Sequence, residues 1–330
     1  MATVKYIGES PFVGVAGRRH HESDYKYQTY TENVACDVSS VSAPIRLAIF
    51  GLGRAGCIHL SNIIANPRVK VAYIVEADSS KWEPVKTKWS LEKTTFLHPE
   101  SADQVYQDPE VDACLISTPT FTHEAFIIGS LEAGKAVFSE KPIAETTSGT
   151  SRCYQAAAQV GKPLFCAFNR RFDPSFSSVR TRVLQGDVGH VQMIKTTSRD
   201  SPLPSLDYLK ISGGIFHDCA VHDIDLITWI LGEYPSKVLL NLIIPAARYV
   251  PMIQVYTTAN SLMKEIGEID DHDNVLISLT FPSGSLGSID LSRFANYGYD
   301  QRLEVFGAKG MLQVKNVNPD NTGENKSIRG

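Results

Sequence analysis

Residues 45–50 form a mostly apolar run that ends on Gly51, and glycines recur at 53 and 56. Gly-x-Gly-x-x-Gly placed directly after a strand constrains a chain severely. Gly51 permits a tight turn, Gly53 lets backbone approach a pyrophosphate, and Gly56 lets a new helix pack close to the strand. The N-terminus of that helix, at Arg54 and Ala55, presents free N–H groups and the positive end of a dipole to phosphates. Alone the spacing is a weak signal, because glycine-rich turns also serve purely structural ends. The surroundings strengthen it. Residues 69–75 read as a second buried strand, and Glu76 stands 20 residues after Gly56, where an acid can bind a ribose hydroxyl. A dinucleotide site is the expectation.

The 330 residues suffice for two domains. A net charge of −4 gives no electrostatic footprint for nucleic acid or an anionic membrane. No apolar stretch reaches the roughly 18 residues that span a bilayer. The six cysteines are scattered without metal-ligand spacing, so free thiols, no metal site and a reducing, cytoplasmic setting are expected.

Residues 1–43 are polar and aperiodic, with acids that a transit peptide lacks, and read as a disordered extension. From 44 to 165 the pattern alternates. Strands are expected at 45–50, 69–75, 111–117, 136–139 and 164–168. Helices are expected from Gly53 to about 65, over 79–93, 122–133 and 148–160, with Gly134 and Gly161 closing the last two. This is a doubly wound parallel sheet of the Rossmann type, whose ligands sit at the carboxyl ends of its strands. From 166 to 330 the rhythm changes to α+β. A helix over 175–184, a strand over 191–197 and a helix over 218–231 precede strand-like runs at 238–244, 275–281, 285–291, 303–306 and 311–314. Pro282-Ser-Gly284 marks a hairpin. A large, mostly antiparallel open sheet follows.

Several groups of residues could carry chemistry. Glu140-Lys141-Pro142 follows the 136–139 strand on its carboxyl side, where Pro142 biases Lys141 toward extended backbone. An exposed turn lysine is the plain alternative. Asp218 and His222 are spaced i, i+4 and so share a helix face with Asp225 and Trp229, opposite Ala220, Ile224, Ile227 and Leu231. Either the polar stripe is solvated, or His222 is a base for an alcohol proton with a carboxylate one turn away. Gly213-Gly214 before this helix lets backbone come close to something. His123 either faces a nicotinamide pocket or starts a helix structurally. Asn169-Arg170-Arg171 offers a polyol partner or an inter-domain salt bridge, and Tyr297 lies in a polar aromatic turn that would suit a sugar-like substrate.

Gly51-Leu-Gly-Arg-Ala-Gly56, Ser117-Thr-Pro-x-x-x-His123, Glu140-Lys-Pro142 and Gly213-Gly-x-x-x-Asp-x-x-x-His-Asp-x-Asp225 occur in that order. Over about 45–315 the chain resembles the glucose–fructose oxidoreductase / inositol dehydrogenase / MocA family. Residues 168–173, 198–202 and 297–302 are similar to its inositol 2-dehydrogenase branch. The resemblance implies a catalytic set of Lys141, Asp218 and His222. It implies a cofactor set of Gly51, Gly53, Arg54, Ala55, Gly56, Glu76, Ser117, Thr118, His123, Glu140 and Lys141. Asn169, Arg170, Asp218, His222 and Tyr297 would meet substrate. The implied cofactor is NAD rather than NADP, with Asp78 adding charge that repels a 2′-phosphate. The implied reaction is hydride transfer from myo-inositol to NAD, giving 2-keto-inositol. An open antiparallel sheet would suit burial against a second subunit, so a homo-oligomer through the C-terminal sheet is expected. A related sugar or diol dehydrogenase, or a catalytically silent NAD-binding sensor, stays open. Relatives usually continue past the end of this chain, so a truncated C-terminus is a further expectation.

Overall fold

A computed structural model describes residues 43–235 and 256–315. The expected strand at 238–244, the last fifteen residues and nearly all of the N-terminal extension lie outside them. The chain divides into two compact units, 43–168 and 169–315 in the described residues.

The first unit holds β1 (Ile45–Phe50), α1 (Arg54–Ile63), β2 (Val69–Val75), α2 (Trp82–Trp89), β3 (Thr95–Leu97), α3 (Asp103–Gln107), β4 (Ala113–Ile116), α4 (Thr120–Glu132), β5 (Ala136–Ser139), α5 (Thr147–Val160) and β6 (Leu164–Cys166). Its six strands are ordered β3-β2-β1-β4-β5-β6, and every pairing is parallel. Side chains of β1 alternate between two cores. Ala48 and Phe50 join Ile116, Ile127 and Leu131 on one face. Leu47 and Ile49 join Leu60, Ile74 and Leu115 on the other. A parallel sheet covered on both faces follows from helical crossovers. Strand order reverses at β1, between β2 and β4, which opens a crevice at their carboxyl ends.

Sequence reading and structure part at three places here. The stretch expected as one helix over 79–93 is a 3₁₀ turn (Ser79–Lys81) followed by α2, which ends as Ser90 turns left-handed at φ 52°. The three-residue β3 and the five-residue α3 had no expectation, being too short to show a period.

The second unit holds α6 (Pro174–Leu184), β7 (Val191–Arg199), α7 (Leu206–Ile211), a π turn (Phe216–Ala220), α8 (Val221–Leu231), β8 (Tyr256–Asn260), α9 (Lys264–Gly267), β9 (Asn274–Thr280), β10 (Leu286–Ser292), β11 (Asp300–Gly307) and β12 (Gly310–Val314). The sheet order is β12-β11-β7-β10-β9-β8. Only β7 and β10 run parallel, and the rest pair antiparallel. The expected hairpin joins β9 to β10, with Thr280 opposite Leu286. One face packs Ile194, Ile277, Ile289, Leu303 and Val305 against Phe176 and Val179 of α6 and Leu226, Ile227 and Ile230 of α8. The opposite face carries a cross-strand row, Met311–Phe306–Met193–Leu286, each side chain 44–52% exposed.

The helix over 218–231 departs from its expected stripes. Regular α-helix begins at Val221, after the π turn. Ile224, assigned to the apolar stripe, is exposed, whereas Asp223 and Asp225 are buried. The carboxylates therefore are not a solvated face. They enter the protein because arginines meet them there, as described next.

Candidate functional site

The glycine turn carries out three different tasks. Gly51 has φ +92°, and a Cβ there would lie 2.7 Å from the Ser117 carbonyl oxygen. A Cβ on Gly56 would come to 2.1 Å from the Gly51 carbonyl, so only glycine lets α1 pack this closely on the turn. A Cβ on Gly53 would meet nothing within 4 Å. Space is left beside that residue, at the N-terminus of a helix with no side-chain cap and no acid in its first turn. An exposed Gly53 and Arg54 beside uncapped N–H groups fit a pyrophosphate.

Glu76 follows β2 and is 8% exposed. Its Oε2 accepts from the Leu52 N–H at 2.6 Å. Its Oε1 accepts from Asp78 N–H at 2.9 Å and Lys81 Nζ at 3.3 Å. A carboxylate has about four acceptor positions, so Oε2 keeps capacity for one more donor, such as a ribose hydroxyl. Asp78 is half exposed, and hydrogen bonds from Ser80 hold its carboxyl below the usual range. Two negative side chains at this strand end oppose a 2′-phosphate.

The ends of β4 and β5 are tied together. The Ser117 hydroxyl donates to main chain of the glycine turn, 3.0 Å from Phe50 O and 3.1 Å from Gly51 O. Thr122 donates to the Thr118 hydroxyl at 2.7 Å. His123 is 1% exposed. Its Nδ1 lies 2.8 Å from Pro142 O and its Nε2 2.8 Å from Thr118 O. Of its two expected roles, the structural one is visible: the ring straps the Glu-Lys-Pro turn to the end of β4. Lys141 is half-buried and precedes a cis peptide bond to Pro142. Its N–H donates to Glu140 Oε2 at 3.2 Å. His59 of α1 meets Glu140 Oε1 at 2.7 Å and stacks edge-on against Phe138. Burial works to raise the Glu140 pKa, yet His59 and the Lys141 N–H outweigh it and hold the carboxyl below its ordinary value. Nothing in the sequence pattern marked His59. Its only signal is its place on the helix that the glycine turn starts.

The second unit gathers another set. The 3₁₀ turn Asn169–Phe172 presents Arg170 and Arg171 to α8, with Asn169 exposed. Arg170 Nη1 donates to Asp223 Oδ1 at 2.7 Å, and the Ser198 hydroxyl donates to the same oxygen at 2.7 Å. Arg171 binds Asp225 through both Nε and Nη2, at 2.9 and 2.5 Å. Burial still pushes the Asp225 carboxyl up, with Arg171 opposing. Both arginine pairs lie inside this one unit, so the expected inter-domain bridge is an internal one. The Tyr297 hydroxyl donates to Asp300 at 2.8 Å, and Arg302 Nε donates to the other Asp300 oxygen at 3.1 Å. The expected polar turn is thus self-bonded, and the Tyr297 ring stays half exposed.

Asp218 sits in the π turn and His222 in the first turn of α8. Asp218 Oδ2 accepts from Arg293 Nη1 at 2.6 Å, and Oδ1 from the Tyr208 hydroxyl at 2.8 Å. What Gly213 and Gly214 approach is also plain. Both have φ +80°, and a Cβ on Gly214 would stand 3.2 Å from Asp271 Oδ1. Arg293 and Asp271 escaped sequence reading because they lie far from Asp218 along the chain, and Tyr208, though only 10 residues away, sits on a separate helix. Among the described residues, no cluster of three His, Cys, Asp or Glu side chains could hold a metal, no helix is long and apolar enough to cross a membrane, and Cys57, Cys114 and Cys153 are free thiols.

Residues 45–168 match an oxidoreductase family with an NAD-binding Rossmann fold. Residues 176–313 match the GFO/IDH/MocA C-terminal domain. The chain is 35% identical over 275 residues to an inositol 2-dehydrogenase of Rhizobium meliloti, covering 83% of this chain and 77% of that protein. It is 35% identical over 274 residues to a myo-inositol 2-dehydrogenase of Thermotoga maritima, covering 83% and 76%. A crystal structure of scyllo-inositol dehydrogenase from Lactobacillus casei, with bound NAD(H) and scyllo-inositol, superposes with a TM-score of 0.71 at 26% identity. That match covers 83% of this chain and 77% of that one. The chain belongs to the GFO/IDH/MocA family of oxidoreductases.

Proposed function

We propose that this member of the family is an NAD-dependent cyclitol dehydrogenase, which oxidises a ring CH–OH of myo-inositol to 2-keto-inositol. The observation that carries the reading is the 35% identity to inositol 2-dehydrogenases, which extends over most of the chain. The open side of Gly53 and the remaining acceptor position on Glu76 support NAD. Bound NAD would supply the hydride acceptor.

Every other role falls to this chain. Gly51, Gly53, Arg54, Ala55 and Gly56 hold the pyrophosphate, and Glu76 holds the ribose. Ser117, Thr118, Glu140 and Lys141 line the cofactor edge, with His123 strapping them from behind. His222 removes the hydroxyl proton as hydride leaves the carbon. Asp218 balances the charge that His222 acquires, and Lys141 stabilises the developing alkoxide. Asn169, Arg170 and Tyr297 contact other ring hydroxyls. General-base catalysis contributes about 10²–10⁴-fold, so His222→Ala and Lys141→Ala each lose about that factor in kcat while NADH still binds.

The outward row Met311–Phe306–Met193–Leu286 suits burial against a second copy through the C-terminal sheet. The free thiols suit the cytoplasm. The deciding measurement is absorbance at the NADH band across inositol isomers and simple sugars. NADH formation on myo-inositol is expected, slower with NADP than with NAD. A protein that binds NADH yet oxidises none of the cyclitols overturns the assignment.

A further inference from the structure

Arg293 follows β10, and its side chain is completely withdrawn from water. A guanidinium in such a place is retained only where acceptors compensate it. Four are at hand. Nη1 reaches Asp218 Oδ2 at 2.6 Å and Cys219 Sγ at 3.4 Å. Nη2 reaches Asp271 Oδ2 at 2.8 Å and Ser212 Oγ at 3.5 Å. Well-packed apolar residues often replace buried ion pairs with no loss of stability. A charge kept here therefore calls for another reason.

The reason lies in what the two carboxylates hold. Asp271 turns its other oxygen to the N–H groups of Ile215 and His272, at 2.9 and 2.8 Å. Ile215 is the residue immediately before the π turn. Asp218 is the third residue inside that turn, and Tyr208 fixes its second oxygen. One cation thus grips the entry and the middle of a widened turn that runs directly into the helix bearing His222. Such turns are rare and are frequently found at functional sites. Here the widening lies between Asp218 and His222, so it alters the register that i, i+4 spacing in plain α-helix would impose.

We propose that Arg293, pinned by Asp271, is the positioning residue that locks the Asp218 carboxylate in the π turn ahead of His222. The inference rests on the reading of Asp218 and His222 as working residues of a cyclitol dehydrogenase. Arg293 acts through Asp218.

The test uses Arg293→Lys and Asp271→Asn in the full chain. Lysine keeps a charge but cannot fork between two carboxylates. Asparagine keeps an acceptor for Ile215 but gives up the charge that anchors Arg293. Misplacement by about 1 Å costs on the order of 10²-fold in rate. Arg293→Lys should therefore lower kcat about 10²-fold and Asp271→Asn by a smaller factor, with NADH affinity unchanged. The loss should fall on kcat more than on KM for the cyclitol. Amide exchange over residues 215–222 should speed up by about tenfold or more, the signature of a freed turn. A folded Arg293→Lys protein with parental kcat overturns the proposal, as does unchanged exchange over 215–222. If the parent chain itself oxidises no cyclitol, the functional reading falls, and the exchange experiment alone still decides whether Arg293 holds the turn.

Discussion

The two units are built from different materials. In residues 43–168 the nucleotide end is shaped by main chain: glycines at 51, 53 and 56, a helix terminus and carbonyls that strap one loop to the next. In residues 169–315 charge out of water does the shaping, with Arg170, Arg171 and Arg293 set against the buried Asp223, Asp225 and Asp271. Backbone geometry tolerates little change in volume but is indifferent to charge. The arginine network is the reverse: it tolerates a change of shape better than the loss of one partner.

That contrast is sharpest at Asp223. It is wholly buried and faces Arg170 and Ser198. Asp223→Ala should destabilise the chain by about 3–5 kcal/mol, since it strands a desolvated guanidinium. Denaturant titration reads this, and a loss under about 1 kcal/mol would mean that the pair matters little. In the other unit, Gly56→Ala pushes a Cβ against the Gly51 carbonyl. A loss of about 1–3 kcal/mol is expected, together with loss of NADH binding by fluorescence titration. Gly53→Ala is its control. Nothing stands near that position, so stability should stay within about 0.5 kcal/mol while NADH affinity still falls. Equal stability losses in the two glycine variants would erase the distinction drawn between them.

Smaller effects sharpen the same comparison. Glu140 is held below its ordinary pKa against burial, by His59 foremost. The sign follows from linkage: its contribution is complete above the unfolded-state value and is lost as pH falls through the lower folded-state value. His59→Ala removes the main opposing influence, so Glu140 should titrate at higher pH, as read from its carboxyl carbon resonance. An unshifted titration would show that His59 does not set it. At the bottom of the scale, Arg182 and Asp187 pair at 2.8 Å on the surface. Arg182→Ala should change stability by no more than about 0.5 kcal/mol, and a larger loss would make exposed charge as important as buried charge in this unit.

The same division explains what could be read without coordinates. β2 and β5 fall on the residues their apolar patterns indicate, and the glycine turn is legible because each of its glycines answers a local steric need. β3 is three residues long and leaves no period to read. The π turn was invisible because i, i+4 spacing presumes α geometry, and the widening before Val221 breaks that premise. Asp225 looked like a solvent-facing residue because its partner, Arg171, stands 54 positions away. Arg293 is 75 positions from Asp218. Pairings at that separation are decided by tertiary folding, and composition and period carry no trace of them.

The missing Cβ at Gly56 has a mechanical corollary. With no slack between α1 and the turn, the helix cannot slide along β1, and three residues later it carries His59. His59 grips Glu140, whose other oxygen takes the Lys141 amide. Helix, imidazole and carboxylate then work as a rigid lever with its fulcrum at the glycine. A tilt of the helix at its N-terminal tip therefore reaches the Lys141 backbone through two hydrogen bonds.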